Sequence, residues 1–495
     1  MIGPKITRNL LIYLGIFLII EVFSFLALTL PGLNQIIFWL LVLFCLGLSF
    51  YKLEFGLLMV LAELFIGSMG HLFVLPIGGI QLPIRMALWL AVILVFSVKF
   101  ISQLIKNGQH SQYFLSLKDF EYKNYFGLFA LFIIIGVINA YLRGHSLNLI
   151  FSDFNAWLYW LLLVPAIVIY TKKGGEEKEE KMVWENLQTV FLAAVIWLSL
   201  KTLFLLFVFT HNLSFAPDIY TWLRKTLVGE MTPTLSGWPR IFIQGQIYSG
   251  IALFLMLFVS LKKYKNIISF SLAALSSSII LISFSRSFWV GLMAALIFSL
   301  IIIWRFYSWR KTLLAALWFI ASFVVGFILI YLVAIFPYPT PGSFNADFLN
   351  RVSNNNEAAL ASRWSLLPVL TREIKKEPFL GQGYGATITY FSRDPRVLEK
   401  NPSGEYTTYA FEWGYLDLWL KIGLFGLLAY LLLVFQLIKK ALVYGQKNKN
   451  WLLLGLSSSI IFLAATNFFT PYLNHPLGIG ILLIGACLIR RDGVY

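Results

Sequence analysis

The chain has 495 residues, of which 59% are hydrophobic and only 13% are charged. A water-soluble protein carries about 25% charged residues, so this composition excludes a soluble enzyme and a disordered chain. The formal net charge is +16 at pH 7. In such an apolar chain, excess Lys and Arg is typical of cytoplasmic loops in membrane proteins rather than of nucleic-acid binding. Both cysteines, Cys45 and Cys487, lie in apolar runs and predict neither a disulfide framework nor a zinc site.

Apolar runs recur along the whole chain. A helix needs about 20 mainly apolar residues to cross a bilayer, so these runs predict an all-α polytopic membrane protein of about 12–14 transmembrane helices. The first run has basic flanks and no small-residue cleavage site, and we expect a retained span rather than a signal peptide. The predicted spans cover residues 10–30, 36–50, 54–69, 83–104, 124–140, 156–171, 186–209, 242–261, 266–284, 287–304, 312–336, 413–437, 451–469 and 472–489.

Basic residues predict the orientation of these spans. Cytoplasmic loops of membrane proteins are enriched in Lys and Arg. With a cytoplasmic N-terminus, every inner loop of this chain contains Lys or Arg, whereas the opposite orientation places the same clusters outside. The sequence therefore predicts that both termini are cytoplasmic. The inner-loop clusters include Lys118 and Lys123, then Arg305, Arg310 and Lys311, and finally Lys439 and Lys440.

The predicted outer side carries mostly Arg instead of Lys. The guanidinium group is a planar fork of donors that matches phosphate oxygens in pairs. Arginines retained against the charge bias either pair with outer acids and lipid phosphates, or they hold an anionic ligand. They include Arg85, Arg143, Arg240, Arg286, Arg363 and Arg372.

A long hydrophilic segment, residues 337–412, separates a predicted N-terminal bundle at 1–336 from a C-terminal bundle at 413–495. Repeated prolines at its start block helix continuation. Between Ala358 and Lys376, apolar residues recur at helical spacing and predict an amphipathic helix lying on the membrane surface. Long structured loops are often functional, so we expect this extracytoplasmic loop to be the lid or wall of an outer site. The apolar positions are Leu360, Trp364, Leu367, Leu370 and Ile374.

Five motifs resemble those of the O-antigen ligase/polymerase superfamily of membrane glycosyltransferases. They follow the family's order and spacing over about residues 50–490, with one long outer loop before the last three spans. The resemblance implies a GT-C-like fold in the bacterial cytoplasmic membrane, with the active site facing outside. The motifs are GWPRIFIQGQIY around Arg240, SFSRSFWVGL around Arg286, SRWSLLPVLTREIKKEPFLGQGYG, WGYLDLWLKIGLFGLL and TNFFTPYLNHPLGIG.

The resemblance also implies a reaction. A glycan would pass from an undecaprenyl-diphosphate-linked donor to a sugar hydroxyl of a glycan or lipid-glycan acceptor, within the lipid bilayer and without nucleic acid. Ligases of this family carry a His before the span that follows the long loop, and that His is taken as the catalytic base. Counting back from Gly423, the position is held here by Glu412. This departure favours a polymerase-like enzyme over a ligase, and both stay open.

Arginines are candidates to bind the diphosphate in this reaction. Negative charge grows on the diphosphate as it leaves, and fixed guanidinium groups can stabilise that charge. Arg240 and Arg286 are the first candidates, because each lies at a predicted span end with no acidic residue close in sequence. Arg363 and Arg372 on the predicted loop helix are further candidates to bind a phosphate or a sugar, and Arg85 and Arg143 are candidates of second rank.

An acid is needed to accept the proton of the attacking hydroxyl. Glu412 is the candidate, because partial burial beside Phe411 and Trp413 would tune it for proton transfer; Glu405 is the alternative. Asp417 lies four residues before Lys421, a spacing that predicts an ion pair on one helix face and a structural role.

We expect neither a cofactor nor a metal ion. The five histidines show no metal-ligand spacing, and the motif Asp153-Phe-Asn155 lacks the second acid of a metal-binding pair. Glu63 lies inside a predicted span with no cation nearby in that span. Such a residue is costly in lipid, and either a buried hydrogen bond or a proton-transfer role would account for it.

Two other functions compete with glycosyl transfer. A transporter of lipid-linked oligosaccharides would have paired halves, broken helices and charges at the membrane midplane. The sequence shows no internal repeat, and its notable arginines cluster at one predicted face instead. A non-catalytic export scaffold would not need an acid opposite arginines. The pattern therefore favours an enzyme.

Overall fold

The computed structural model of the chain describes residues 4–77, 80–108, 111–170, 177–234, 236–262, 266–338, 342–353 and 358–493. The first ten helices of this part of the chain are α1 (Pro4–Leu26), α2 (Pro31–Tyr51), α3 (Leu53–Ile66), α4 (Ile84–Asn107), α5 (Gln112–Lys118), α6 (Lys123–Leu142), α7 (Leu147–Phe154), α8 (Leu163–Tyr170), α9 (Glu177–Thr210) and α10 (Ala216–Lys225). They are followed by α11 (Ile247–Lys262), α12 (Ile267–Ser283), α13 (Arg286–Phe306), α14 (Trp309–Ile335), α15 (Phe344–Ser353), α16 (Ala358–Lys376), α17 (Pro395–Lys400), α18 (Gly414–Lys447), α19 (Trp451–Thr466) and α20 (Pro476–Gly493).

Within the described residues, three short antiparallel hairpins connect these helices. The strands pair in sequence order, so each hairpin is a local excursion between helices and not part of a larger sheet. The pairs are β1 (Val74–Ile77) with β2 (Ile80–Pro83), β3 (Gly229–Pro233) with β4 (Pro239–Ile243), and β5 (Ile388–Phe391) with β6 (Glu405–Thr408). Short 3-10 helices at Asn155–Leu162, Gln244–Gln246 and Tyr472–Asn474 join helices directly.

Hydropathy explains where the helices lie. Each of the fourteen predicted spans overlaps a helix in its described residues, and ten helices of the described residues are long and apolar enough to cross a membrane. The helices α12, α19 and α20 are shorter apolar helices. The prediction of an all-α polytopic protein is therefore confirmed, and the chain is a multi-pass membrane protein. The span predicted at 54–69 falls on α3, whose 14 residues are fewer than a bilayer core needs.

The helices differ in how much of their surface faces the protein interior. In the apolar stretch Gln244–Lys262, which contains α11, 78% of the residues are buried inside the protein, whereas in α2 the share is 22%. Exposed apolar side chains such as Leu40 and Phe44 on α2 have the chemistry of a lipid-facing surface. The central helices can therefore be short, because neighbouring protein covers their apolar surface.

Small residues allow the central helices to pack closely. A Cβ atom added at Gly250 of α11 would lie 2.3 Å from the ring of Phe462 on α19. At Gly291 of α13, it would lie 2.3 Å from Thr466. Ser299 of α13 donates a hydrogen bond to Ser458 of α19 across 2.8 Å. Close contact through Gly and Ser is the usual way in which helices associate inside membranes.

The described residues of the segment 342–412 lie at one end of the bundle, which we name the loop face. The turn between α12 and α13 and the turn between α19 and α20 lie at the same end, because Arg286 is within electrostatic range of Arg363 and Thr470 donates a hydrogen bond to Ser287. The predicted helix at Ala358–Lys376 is present as α16.

The buried side of α16 differs from the prediction. Its buried residues Leu366, Leu370 and Ile374 pack against Phe411 and Leu420. Trp364, which was predicted to belong to the apolar face, is 54% exposed. Leu370 and Ile374 of the predicted apolar face are therefore covered by protein, whereas the expectation that this helix rests on the membrane surface stays a prediction.

Candidate functional site

Arg286 begins α13 at the loop face. The preceding helix, α12, ends at Ser283, and Phe284 takes a left-handed conformation with φ of 47° that turns the chain into α13. Ser285 and Ser287 share a hydrogen bond of 3.0 Å. Ser287 also accepts one of 2.9 Å from Thr470 in the neighbouring turn. The turn therefore presents a guanidinium group at a helix N-terminus, where the helix dipole favours anions.

Arg240 lies on strand β4, beside the same turn. Its Nε donates a hydrogen bond of 3.0 Å to the carbonyl oxygen of Ser283. Its Nη1 lies 3.4 Å from Oε1 of Glu230, a residue on β3 that the hairpin register brings diagonally opposite. The sequence showed no acid close to Arg240, but the hairpin supplies one. Burial is the main cause that lowers the pKa of Arg240 from its ordinary value, which Glu230 opposes and nearby Arg363 and Arg286 reinforce.

Arg363 and Glu412 form an ion pair between α16 and the residues before α18. The indole Nε1 of Trp413 donates a hydrogen bond of 3.1 Å to the carbonyl oxygen of Arg363, which fixes the two segments together. Phe411 is buried, but the Glu412 side chain is 55% exposed. The expected partial burial of Glu412 is therefore not found, because its neighbour turns inward while Glu412 faces the opening.

Arg240, Arg286 and Arg363 form what we call the arginine cluster. Arg363 lies within electrostatic range of both Arg240 and Arg286, and Arg240 is within range of Arg286. Arg240 lies on a strand, Arg286 at the start of a helix and Arg363 on α16. They are far apart in the sequence, so no local sequence pattern predicts that they meet. Arg240 and Arg363 already pair with Glu230 and Glu412, but three cations against two carboxylates leave an excess of positive charge, which favours an anion.

A cavity of about 640 Å³ opens at the loop face beside this cluster. Of the predicted site residues, Arg363, Glu412 and Arg85 line it. Asp153, Asp417 and Lys421 line it too, although the sequence had assigned them no functional role. The lining includes aromatic rings, namely Trp89, Phe151, Phe411 and Phe469. Such a mixture of charge, amide groups and rings is typical of a small-molecule site.

Four residues in the wall of this cavity form a network that we call the carboxylate cluster: Asp153, Asp417, Lys421 and Asn474. Lys421 pairs with Asp153 of α7 and with Asp417 on its own helix. The amide of Asn474 donates a hydrogen bond of 3.0 Å to Asp417. The predicted pair of Asp417 with Lys421 is confirmed. Sequence reasoning missed Asp153 as its second partner, because 268 positions separate that residue from Lys421.

The glycine-rich loop after α16 is inserted into a break in α18, at Gly423. This residue has φ of 72°, and the break leaves backbone groups of α18 without helical partners. The loop replaces them: Gln382 N–H donates to Leu420 O over 2.7 Å, and Gly383 N–H donates to Lys421 O over 3.0 Å. In return, Leu424 N–H donates to Pro378 O over 2.9 Å. The loop therefore fixes the part of α18 that carries Lys421.

Arg85 has a partner that the sequence did not suggest. Its Nε lies 2.8 Å from Oε2 of Glu63, both side chains are buried, and Nη1 donates to Ser68 O over 2.7 Å. The mid-span Glu63 is thus stabilised by a cation from the neighbouring helix α4 rather than from its own. Breaking such a buried pair is costly.

Four of the predicted arginines do not line the cavity, namely Arg240 and Arg286, which lie beside it, and Arg143 and Arg372. Arg143 pairs with Glu377 at 2.8 Å on a partly exposed surface. Arg372 is 72% exposed and lies 4.0 Å from Glu373. Exposed pairs of this kind contribute little to stability.

Two histidines, His71 and His475, line the cavity from distant parts of the sequence. Nδ1 of His475 accepts a hydrogen bond from Leu477 N–H over 3.3 Å, so Nε2 carries the ring proton. Burial, with Arg85 and His71 nearby, lowers the pKa of His475 to about 3. Burial also lowers the pKa of His71. Among the described residues, no group of three or more His, Cys, Asp and Glu side chains could hold a metal ion.

Residues 270–431 match the model of the O-antigen ligase family. This part of the chain is similar to O-antigen ligases. The match confirms the resemblance seen in the sequence and indicates a ligase or glycosyltransferase type of membrane enzyme. Arg286, Arg363, Glu412 and Lys421 fall inside the matched segment, whereas Arg240 lies before it. No curated protein matches the chain.

Proposed function

We propose that this protein transfers or polymerises a glycan from an undecaprenyl-diphosphate-linked donor onto a sugar hydroxyl. The reaction takes place at the outer face of the bacterial cytoplasmic membrane, with both chain termini in the cytoplasm. The observation that carries the proposal is the arginine cluster, which gathers three guanidinium groups beside a cavity that also contains carboxylates. Polymerase and ligase chemistry share this requirement, since both release the same lipid diphosphate.

In the proposed reaction, a hydroxyl oxygen of the acceptor attacks the anomeric carbon of the donor glycan. A new C–O bond forms as the bond between this carbon and the diphosphate oxygen breaks, and the diphosphate keeps the electron pair. Arg240 and Arg286 stabilise the charge that develops on that oxygen, and Arg363 on α16 adds a third guanidinium group. Because fixed cations supply this stabilisation, the transfer is proposed not to require a metal ion.

Glu412 is the proposed acceptor of the hydroxyl proton. It lines the cavity and pairs with Arg363. In this proposal Glu412 receives the proton, and its partner Arg363 contacts the diphosphate. A shift of Arg363 towards the bound diphosphate would release the carboxylate for the acceptor hydroxyl. Arg85 supports the wall of the cavity through Glu63, and Arg143 and Arg372 stay outside the cavity as surface contacts for substrate.

The test is reconstitution of the purified protein with a synthetic undecaprenyl-diphosphate-linked glycan, with and without a chelator. We expect products longer than the donor, detected by mass spectrometry, in both conditions. A strict requirement for added divalent metal would contradict stabilisation by arginine alone.

The same preparation separates the enzyme from a transporter. The protein is placed in sealed vesicles whose labelled lipid-linked glycan starts in one leaflet. Movement of the label between leaflets without any new glycosidic bond would contradict the proposed transfer and favour the transporter.

A further inference from the structure

The carboxylate cluster carries an excess of negative charge. Asp153 and Asp417 share Lys421, so two carboxylates face one ammonium group. The adjacent Arg85 does not compensate, because Glu63 neutralises it. Both cavity histidines favour the neutral form, since burial lowers the pKa of each. Among the described groups of this wall, one negative charge is therefore left over.

The same wall has hydrogen-bonding groups without protein partners. Tyr159 lines the cavity, is 3% exposed, and its hydroxyl has no hydrogen-bond partner within the described parts of the chain. Asn474 lines the cavity too, and its buried carbonyl oxygen Oδ1 also has no hydrogen-bond partner among the described residues. Buried polar groups without partners are costly, and a ligand that both donates and accepts hydrogen bonds would satisfy them. Sugar hydroxyls do both.

Aromatic rings complete this lining. Trp89, Phe411 and Phe469 line the cavity together with the polar groups. Their faces offer an apolar surface to the C–H side of a sugar ring, and the hydroxyl edge of that ring would meet the polar groups. The arginine cluster differs, because its three cations suit an anion and not a polyhydroxylated neutral group.

We infer that the carboxylate cluster binds the terminal sugar of the acceptor glycan, and that this sugar is neutral or carries an amine. An acidic sugar is disfavoured, because its carboxylate would meet the excess negative charge of Asp153 and Asp417 in a region partly screened from water. The inference rests on the proposed function and assigns the substrate class for one side of the same cavity.

The test uses three acceptors on one short lipid that end in glucose, glucosamine or glucuronic acid. Each is offered with one constant undecaprenyl-diphosphate-linked donor. We expect kcat/KM to be at least about tenfold higher for glucose and glucosamine than for glucuronic acid. Asp417→Asn and Asp153→Asn should each reduce this preference about tenfold. Glu121→Gln is the matched control, because it removes one negative charge that pairs with Lys440 outside the cavity lining.

Equal use of the three acceptors by the wild-type protein would overturn the inference and leave the proposed function intact. An unchanged preference in both Asp variants would overturn it as well. If the wild-type protein forms no product with any acceptor, the proposed function fails. In that case, binding of the same acceptors, followed by tryptophan fluorescence, still decides the inference: glucuronic acid must bind more weakly than glucosamine, and equal binding would refute it.

Discussion

The arginine cluster and the carboxylate cluster lie beside one cavity, but they were not equally visible in the sequence. Arg240, Arg286 and Arg363 stand out because arginine is unusual at a predicted outer face. Asp153 and Lys421 are ordinary residues until the fold brings them together. In the first cluster three guanidinium groups meet two carboxylates, Glu230 and Glu412, so positive charge is in excess, whereas the second cluster has one excess carboxylate. This difference suggests that one binds the phosphate and the other the sugar.

Replacing Arg286 with Ala should have the largest effect. The change removes a cation from the developing negative charge, so transfer should fall about 100- to 1000-fold. Product formation is measured per amount of inserted protein. Arg305→Ala is the matched control, because Arg305 lies in the last turn of the same helix and should keep nearly full activity. Near wild-type transfer by Arg286→Ala would remove this residue from the mechanism.

Glu412→Gln should reduce transfer by about 100-fold or more, because the amide cannot accept the hydroxyl proton. Donor binding, measured separately, should change little. Glu405→Gln serves as the comparison, since Glu405 is an exposed residue of β6. A loss confined to Glu405→Gln would transfer the proposed role to that residue.

Gly381→Ala should disturb both clusters together. Gly381 has φ of 75°, and an added Cβ would lie 2.5 Å from the backbone nitrogen of Gly423. We expect a loss of stability of about 1–3 kcal/mol, seen as a lower Tm in detergent, and a parallel loss of donor and acceptor affinity. Gly144→Ala is the control, because Gly144 has φ of 72° but nothing within 4 Å of an added Cβ. Equal Tm changes would show that the docked loop is not under steric constraint.

Tyr159→Phe should act on the acceptor alone. Loss of one hydrogen bond to a sugar hydroxyl should raise the acceptor KM about three- to tenfold, while the donor KM stays constant. Tyr122→Phe is the matched control. Tyr122 is also buried, and its hydroxyl also lacks a partner in the described structure, but it is not in the cavity lining. A similar effect of both substitutions would contradict the division of the cavity into two binding regions.

Arg372→Ala should have the smallest effect. Its side chain is mostly exposed and its nearest acid is 4.0 Å away, so transfer should stay within about twofold of wild type. A larger loss in the same assay would extend the arginine cluster along α16.

The fold could be predicted further than the site. The fourteen apolar runs fall on helices, and α16 has the predicted bounds. The ion-pair partners and the burial of individual charged side chains could not be predicted from the sequence. Arg85 was a candidate for binding substrate, but Glu63 of another helix holds it. Glu412 was expected to be partly buried, but it is exposed and paired with Arg363.

By itself, the sequence determined the membrane architecture and the resemblance to the O-antigen ligase family, because both depend on local properties. Whether a helix can cross a bilayer follows from about 20 consecutive residues, and the family motifs are short and contiguous. Only the tertiary structure decided which charges are neutralised and which polar groups lack a partner. Electrostatic energy depends on the distance between atoms, and folding brought Asp153 next to Lys421 regardless of the 268 positions between them.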